Sequence, residues 1–345
     1  MMLQRPSSLR HKQQGLTLVE LMISVTLSLI IMAGIFQIFM SSKQTYRVQD
    51  ALGRMQENAR FAMDLLTYDI RMAGNVGCNR NAILTNQFAG IVPDINSGIQ
   101  GFDIAGGEAS MFTMMTDADN NLTADDIVNN SDAIFIQGAS SVSGDLSAAM
   151  ANSNAPISVN RALTGVEAGD LVIIADCTDA EIFQVTNINA DLTQITHNGL
   201  NKTYGTDAQV MPAIYTAYYL ATDDNGVQNL YQRSIGAVTG ALAVQAEVPL
   251  IEGVEDMQIF YGETIGNTIA YNTANNVADM ANVTSVRIHL LLATLEDNLT
   301  GQDHRIAATP PQNYWYVDAN GNNVQVAVRD NRLFRAMTTT ISLRN

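Results

Sequence analysis

The chain has 345 residues, with 34 acidic against 18 basic side chains and a formal net charge of −16. Lysine is nearly absent (Lys12, Lys43 and Lys202 only), which excludes a protein that wraps nucleic acid with clustered basic side chains. Apolar residues make up 47% of the chain, enough material for a core, which excludes intrinsic disorder.

The charge is unevenly placed. Residues 1–15 hold Arg5, Arg10 and Lys12 and no acid; taking these three from 18 bases leaves 15 against 34 acids, or −19, for the remainder. From Leu16 to Met40 the sequence reads LTLVELMISVTLSLIIMAGIFQIFM, with Glu20 as its one charge. A helix needs about 20 such residues to cross a bilayer. The basic end belongs on the cytoplasmic side, so residues 1–15 stay inside and the rest is exported. A secretory signal would have a shorter apolar stretch of about 7–15 residues followed by a small-residue cleavage site. This run is longer, and Ser41-Ser42-Lys43-Gln44 continues the helix instead. Glu20 is costly in such a span unless it is paired, and intramembrane acids mark functional positions. A carboxylate that snorkels from near the helix end is the alternative reading.

Beyond the span, apolar residues recur at Val48, Leu52, Met55, Ala59, Ala62, Leu66 and Ile70, the spacing of one helical face. Phe61, Leu65, Tyr68 and Met72 form a second row that widens this face. Asp50 with Arg54, and Arg60 with Asp64, stand four apart as exposed supporting pairs. Gly74 stops the helix. A helix over residues 16–73 would measure about 87 Å.

After Gly77 the texture becomes polar and turn-rich. The strand expectations are Ala133–Gln137, Asp170–Ala175, Glu181–Ile188, Ile214–Ala221, Asn229–Ser234, Asp256–Tyr261, Val283–Leu292 and Leu333–Leu343. Asp223-Asp224-Asn225-Gly226 and Asp318-Ala319-Asn320-Gly321 read as hairpin turns. Residues 138–160 and 262–282 read as loops. The organisation is therefore α+β: residues 1–15 a basic leader, 16–40 the transmembrane half of a spine helix, 41–74 its amphipathic half, and 75–345 an antiparallel β-rich globular domain.

Gly15-Leu16-Thr17-Leu18-Val19-Glu20, behind a basic leader and opening an apolar helix, resembles the class III signal of type IV prepilins. The resemblance implies a type IV pilin-like fold and cleavage by a prepilin peptidase between Gly15 and Leu16. It also implies N-methylation of Leu16, and Glu20 facing the charged amino terminus of a neighbouring subunit for docking. Opposite charges attract strongly in a low-dielectric bundle, and only pairing makes their burial tolerable.

The likeness continues along the chain. Glu57-Asn58-Ala59-Arg60-Phe61-Ala62, Asp69-Ile70-Arg71-Met72-Ala73-Gly74 and Gly77-Cys78 are similar to the spine of the PilW family of minor pilins. So are Asp176-Cys177 with Ile182–Thr186, Glu252–Gln258 with Tyr261-Gly262, Val286-Arg287-Ile288, and Arg332–Arg335 leading to Leu343-Arg344-Asn345. The family implies an inner-membrane protein, single-pass, with its C-terminal domain in the periplasm and assembled into the pilus fibre. It implies other minor pilins, the major pilin and a PilY-type tip adhesin as partners. Its processes are initiation of pilus assembly, twitching motility, surface attachment and DNA uptake, without direct nucleic-acid binding. A J-type pseudopilin of type II secretion shares part of the spine but is usually shorter, and an adhesin module is the rival of another class.

Cys78 and Cys177 are the only cysteines, and both fall in the part assigned to an oxidising compartment, where a disulfide between them is expected. The loop so closed gives about 4–5 kcal/mol in the chain-entropy model. Histidines His11, His197, His289 and His304 are scattered without a cysteine or H-x-x-x-H partner, so no metal site and no cofactor are expected. No G-x-S-x-G, P-loop or G-x-G-x-x-G occurs, and the reading is not an enzyme. Asp117, Asp119 and Asn121 alternate as at the start of an EF-hand loop. Leu122 stands where the turn glycine belongs and Val128 where the bidentate Glu belongs, so a solvated acidic loop is the reading.

Overall fold

The computed structural model describes residues 17–77, 84–86, 98–104, 127–238, 241–245, 247–266, 268–297, 299, 312–318, 321–328 and 330–343. Two compact units divide the chain at Asp50/Ala51. One helix, Leu18–Met72, supplies all but Thr17 of the described part of the first unit and opens the second.

In the first unit the helix is exposed throughout its apolar run, from Leu18 at 74% to Met40 at 49%. It is long and apolar enough to cross a membrane. Its hydroxyls are satisfied within the helix itself. Ser24 Oγ donates to Leu21 O at 2.9 Å, Ser28 Oγ to Ser24 O at 2.6 Å, and Thr26 Oγ1 to the carbonyls of Met22 and Ile23. In hydrocarbon, unsatisfied polar groups are expensive, and this back-bonding removes that cost without a partner.

In the second unit the helix buries one stripe: Ala51, Met55, Ala59, Ala62, Met63, Leu66 and Ile70. This is the expected face, with Ala51 and Met63 added and Val48 and Leu52 only partly covered. The second row does not widen it. Phe61 and Tyr68 are 53% and 58% exposed, and Leu65 and Met72 are half-buried. Phe61 and Tyr68 thus stand outside the core, while Leu65 packs at its margin. Arg60 Nε stands 3.6 Å from Asp64 Oδ2 with both side chains exposed, a pair of little energetic weight. Gly74, at φ 69°, ends the helix in the left-handed region and donates its N–H to Gln137 O at 2.8 Å.

All eight expected strands form, most of them longer than their apolar cores. The strand Gln209–Thr222 is the scaffold of a twelve-stranded sheet. Along its length it pairs in turn with Leu171–Ala175, Asp132–Ala139 and Gln228–Val238. A second sheet of four runs Thr268–Asn272, Val254–Ile265, Val283–Ala293, Phe334–Ser342. Among the described residues every pairing is antiparallel except Leu84–Asn86 with Ala180–Ile182. The expected loops 138–160 and 262–282 are corrected. They contain short strands at Gly144–Asp145, Ile157–Ser158 and Thr268–Asn272 and two 3-10 turns. Two- to five-residue strands of small and polar residues leave too little alternation to be read. Both hairpin turns stand where expected. Asp223 Oδ1 accepts from the N–H groups of Asn225 and Val227, and the Asp318 turn joins Gln312–Val317 to Asn323–Val328.

The helix stripe and both sheets share one core. Leu66 and Ile70 pack with Ile134, Tyr218, Ile259 and Ile288. The half-buried Asp69 accepts a hydrogen bond from the Tyr218 hydroxyl, which fixes the helix to the scaffold strand. Desolvation raises the Asp69 carboxyl from its ordinary range, and that hydrogen bond pulls it part of the way back.

Candidate assembly site

Three places carry the expected site residues. The first is the start of the helix. Thr17 N and Thr17 Oγ1 both donate to Glu20 Oε2 at 2.9 Å, and Glu20 N donates back to Thr17 Oγ1 at 3.3 Å. This is a capping box: a threonine cap and a glutamate three residues on satisfy each other's orphan donors. Among the described residues no donor reaches Glu20 Oε1. Gly15 and Leu16 lie outside the described residues. The cap partnership of Thr17 was not read from the sequence, although a T-x-x-E before an apolar run is its signature.

The second place is the helix surface. The apolar side chains of residues 18–40 and the rings of Phe61 and Tyr68 stand exposed. An apolar surface of this extent needs lipid or other helices to cover it.

The third is the turn that carries Cys177. The backbone N–H groups of Thr178 and Asp179 each donate to Asp176 Oδ1 at 2.8 Å. Lys202 Nζ bridges Asp176 Oδ2 at 2.8 Å and Asp179 Oδ2 at 2.6 Å. Burial alone would raise Asp176; hydrogen bonds from Lys202 and Thr178 outweigh it and hold the carboxyl well below the usual carboxylate range. One of only three lysines is thus committed to rigidifying this turn. Cys177 is exposed on it. Cys78 lies outside the described residues, as does the acidic segment 117–126. The neighbouring Gly77 is placed so that a Cβ on it would stand 3.2 Å from Ala175 Cβ. There is no free cysteine, and no grouping of three or more His, Cys, Asp or Glu suited to a metal ion, among the described residues.

Residues 10–36 match the prokaryotic N-terminal methylation motif, and residues 217–345 match the family model of type IV pilus-assembly protein W. Over residues 217–345 the chain is similar to the PilW family. The two matches support a type IV pilus-assembly pilin, and the long apolar N-terminal helix with its antiparallel sheets gives the α+β layout expected of a pilin. The PilW family is structural rather than catalytic. Comparison with curated proteins and with solved structures found no match. The PilW match begins within the scaffold strand and covers the whole four-stranded sheet. It therefore includes Tyr218, which binds Asp69 of the helix.

Proposed function

We propose that this chain is a minor pilin that helps initiate assembly of the type IV pilus, and so serves twitching motility, surface attachment and DNA uptake. The observation that carries the reading is the helix Leu18–Met40: apolar, exposed on every side, and opened by the Thr17–Glu20 box. Such a segment is held by lipid before assembly and by the helices of other subunits afterwards. In this reading the prepilin peptidase cuts between Gly15 and Leu16, Leu16 is then methylated, and the domain stands in the periplasm on an inner-membrane anchor. The partners are other minor pilins, the major pilin and a PilY-type tip adhesin.

Glu20 docks by using the oxygen its own cap leaves over. Oε2 serves Thr17, and Oε1 accepts from the amino terminus of the next subunit. Both charges then lie in a low-dielectric bundle, where only the pair is tolerable. Glu20→Val should leave cleavage and insertion intact and leave few surface pili. Wild-type piliation in that variant would assign docking to other helix contacts or to the domain.

Cys78 and Cys177 are bridged in this reading. What supports the pairing is that Gly77, next to Cys78 in sequence, lies against Ala175, two residues before Cys177. Maleimide labelling in non-reducing denaturant should find no thiol. The assembly role itself is tested by deletion. Loss of surface pili with secretion intact is expected; blocked secretion with normal piliation would indicate a pseudopilin, and normal piliation with lost attachment an adhesin.

A further inference from the structure

A cavity of about 390 Å³ opens beside the four-stranded sheet, within the range of small-ligand sites. The loop 128–130 and the strand ends at Gln228, Tyr316 and Phe334 meet there over Glu255, Asp256 and Arg332. Asn130 holds the loop in place in the left-handed region, at φ 63°.

The polar lining is unbalanced. It presents three carboxylates, Glu255, Asp256 and Asp330, and one cation, Arg332. Arg332 is already committed: Nη1 meets Glu255 Oε1 at 2.5 Å and Nη2 meets Asp330 Oδ2 at 2.8 Å. One guanidinium cannot neutralise three carboxylates, so net negative charge remains at the site, and Asp256 receives no cation. Its Oδ1 accepts from Gln258 Nε2 at 3.0 Å, and the same nitrogen serves Asn130 O at 2.7 Å. Gln258 is 2% exposed. At the rim, Oε1 of Gln228 is buried without a hydrogen-bond partner, and behind the lining so is Oε1 of Gln258. Carboxylates thus outnumber cations in the lining by three to one. Burial pushes the Asp256 carboxyl up, the response of an anion without a counter-charge. On the apolar side Leu291, Val128 and the Phe334 ring line the wall.

We propose that this cavity receives a basic side chain, lysine or arginine, from a partner protein. An ammonium brings three donors and a guanidinium five, and neither brings an acceptor. The charged head meets Asp256 and the Gln228 side-chain carbonyl, while the aliphatic stem lies on Leu291 and the Phe334 ring. The net charge of −16 favours a basic partner through long-range attraction. The inference does not rest on the assembly role; none of the residues that line the cavity belongs to the helix invoked there.

The test is calorimetric titration of the full chain in detergent micelles with short acetylated, amidated peptides. Each peptide carries one lysine, one arginine or one Nε-acetyl-lysine. Binding of the lysine or arginine peptide and not of the acetyl-lysine peptide is expected. Asp256→Asn should weaken it by about tenfold or more, Gln228→Glu should tighten it, and Asp191→Asn, an exposed acid elsewhere, should leave it unchanged. Thermal unfolding of each variant verifies the fold. Equal weakening by Asp191→Asn, indifference to Gln228→Glu, or absence of heat with both basic peptides would overturn the proposal. So would calcium binding at Asp256 without peptide binding.

Discussion

Leu18–Met40 and Ala51–Ile70 belong to one helix and meet different surroundings. In the first stretch Ile30 is 69% exposed and Phe36 64%; in the second, Leu66 and Ile70 are fully buried. Both are rich in Leu, Ile and Met. What separates them is periodicity: the first is apolar all round, and the second keeps its apolar residues on one stripe and its charges elsewhere. An all-round apolar helix asks for a solvent, and a striped one asks for a sheet. The Phe61–Tyr68 row shows the limit of the rule. Its spacing is that of a core face, yet Phe61 and Tyr68 are exposed, because a stripe says which residues share a side and not which side is covered.

The difference can be tested by titration, by truncation and at the cap. The largest effect is expected from Asp132. It is 5% exposed, accepts from Ile259 N at 2.6 Å, and is pushed up to about 8 by desolvation, with the charges of Asp103 and Asp256 adding to it. An unfolded aspartate ionises near pH 4. Between there and about pH 8 the folded state holds the extra proton, so stability is lost as pH rises through that window, on the order of 5 kcal/mol at most. His289 works the other way: burial lowers it to about 4, so its contribution is lost as pH falls from about 6.5 towards 4. Comparing chemical denaturation of wild type with Asp132→Asn isolates the first term. The substituted protein should gain on wild type steadily from pH 5 to 8, whereas a constant difference would place the Asp132 carboxyl in its ordinary range.

Next is truncation on either side of the divide. Leu66→Ala should destabilise the domain by about 2–5 kcal/mol, through lost burial and an unfilled cavity. Leu29→Ala, 64% exposed at the native leucine, should leave domain unfolding within about 0.5 kcal/mol of wild type. Comparable losses from the two would mean that the span is packed against protein in the isolated subunit. The smallest effect belongs to the cap. Thr17→Val removes the hydroxyl that both receives from Glu20 N and donates to Oε2. A cap of this kind is worth about 1 kcal/mol, seen as fraying of the first turn by amide exchange in micelles.

Much of the fold was legible in the sequence. The span, the buried stripe and its glycine stop follow from runs, period and punctuation, and the eight main strands from β-branched and aromatic clusters between turn residues. The short strands within 138–160 and 262–282 were not legible. Gly144–Asp145 and Ile157–Ser158 are held by long-range partners such as Val210 and Ile195, and two residues carry no pattern of their own. At the site, Glu20 announced itself as a lone acid in an apolar run. Asp69 and Lys202 did not, because their partners, Tyr218 in one case and Asp176 with Asp179 in the other, lie more than twenty residues away in sequence.

The central claim is that the helix begins as a processed pilin begins, with Thr17 and Glu20 just inside a new amino terminus. Mass spectrometry of the protein purified from membranes tests it most directly. The account predicts a mature chain whose first residue is Leu16 with a methylated amine. A chain that retains residues 1–15, or one that starts beyond Met40, would contradict it.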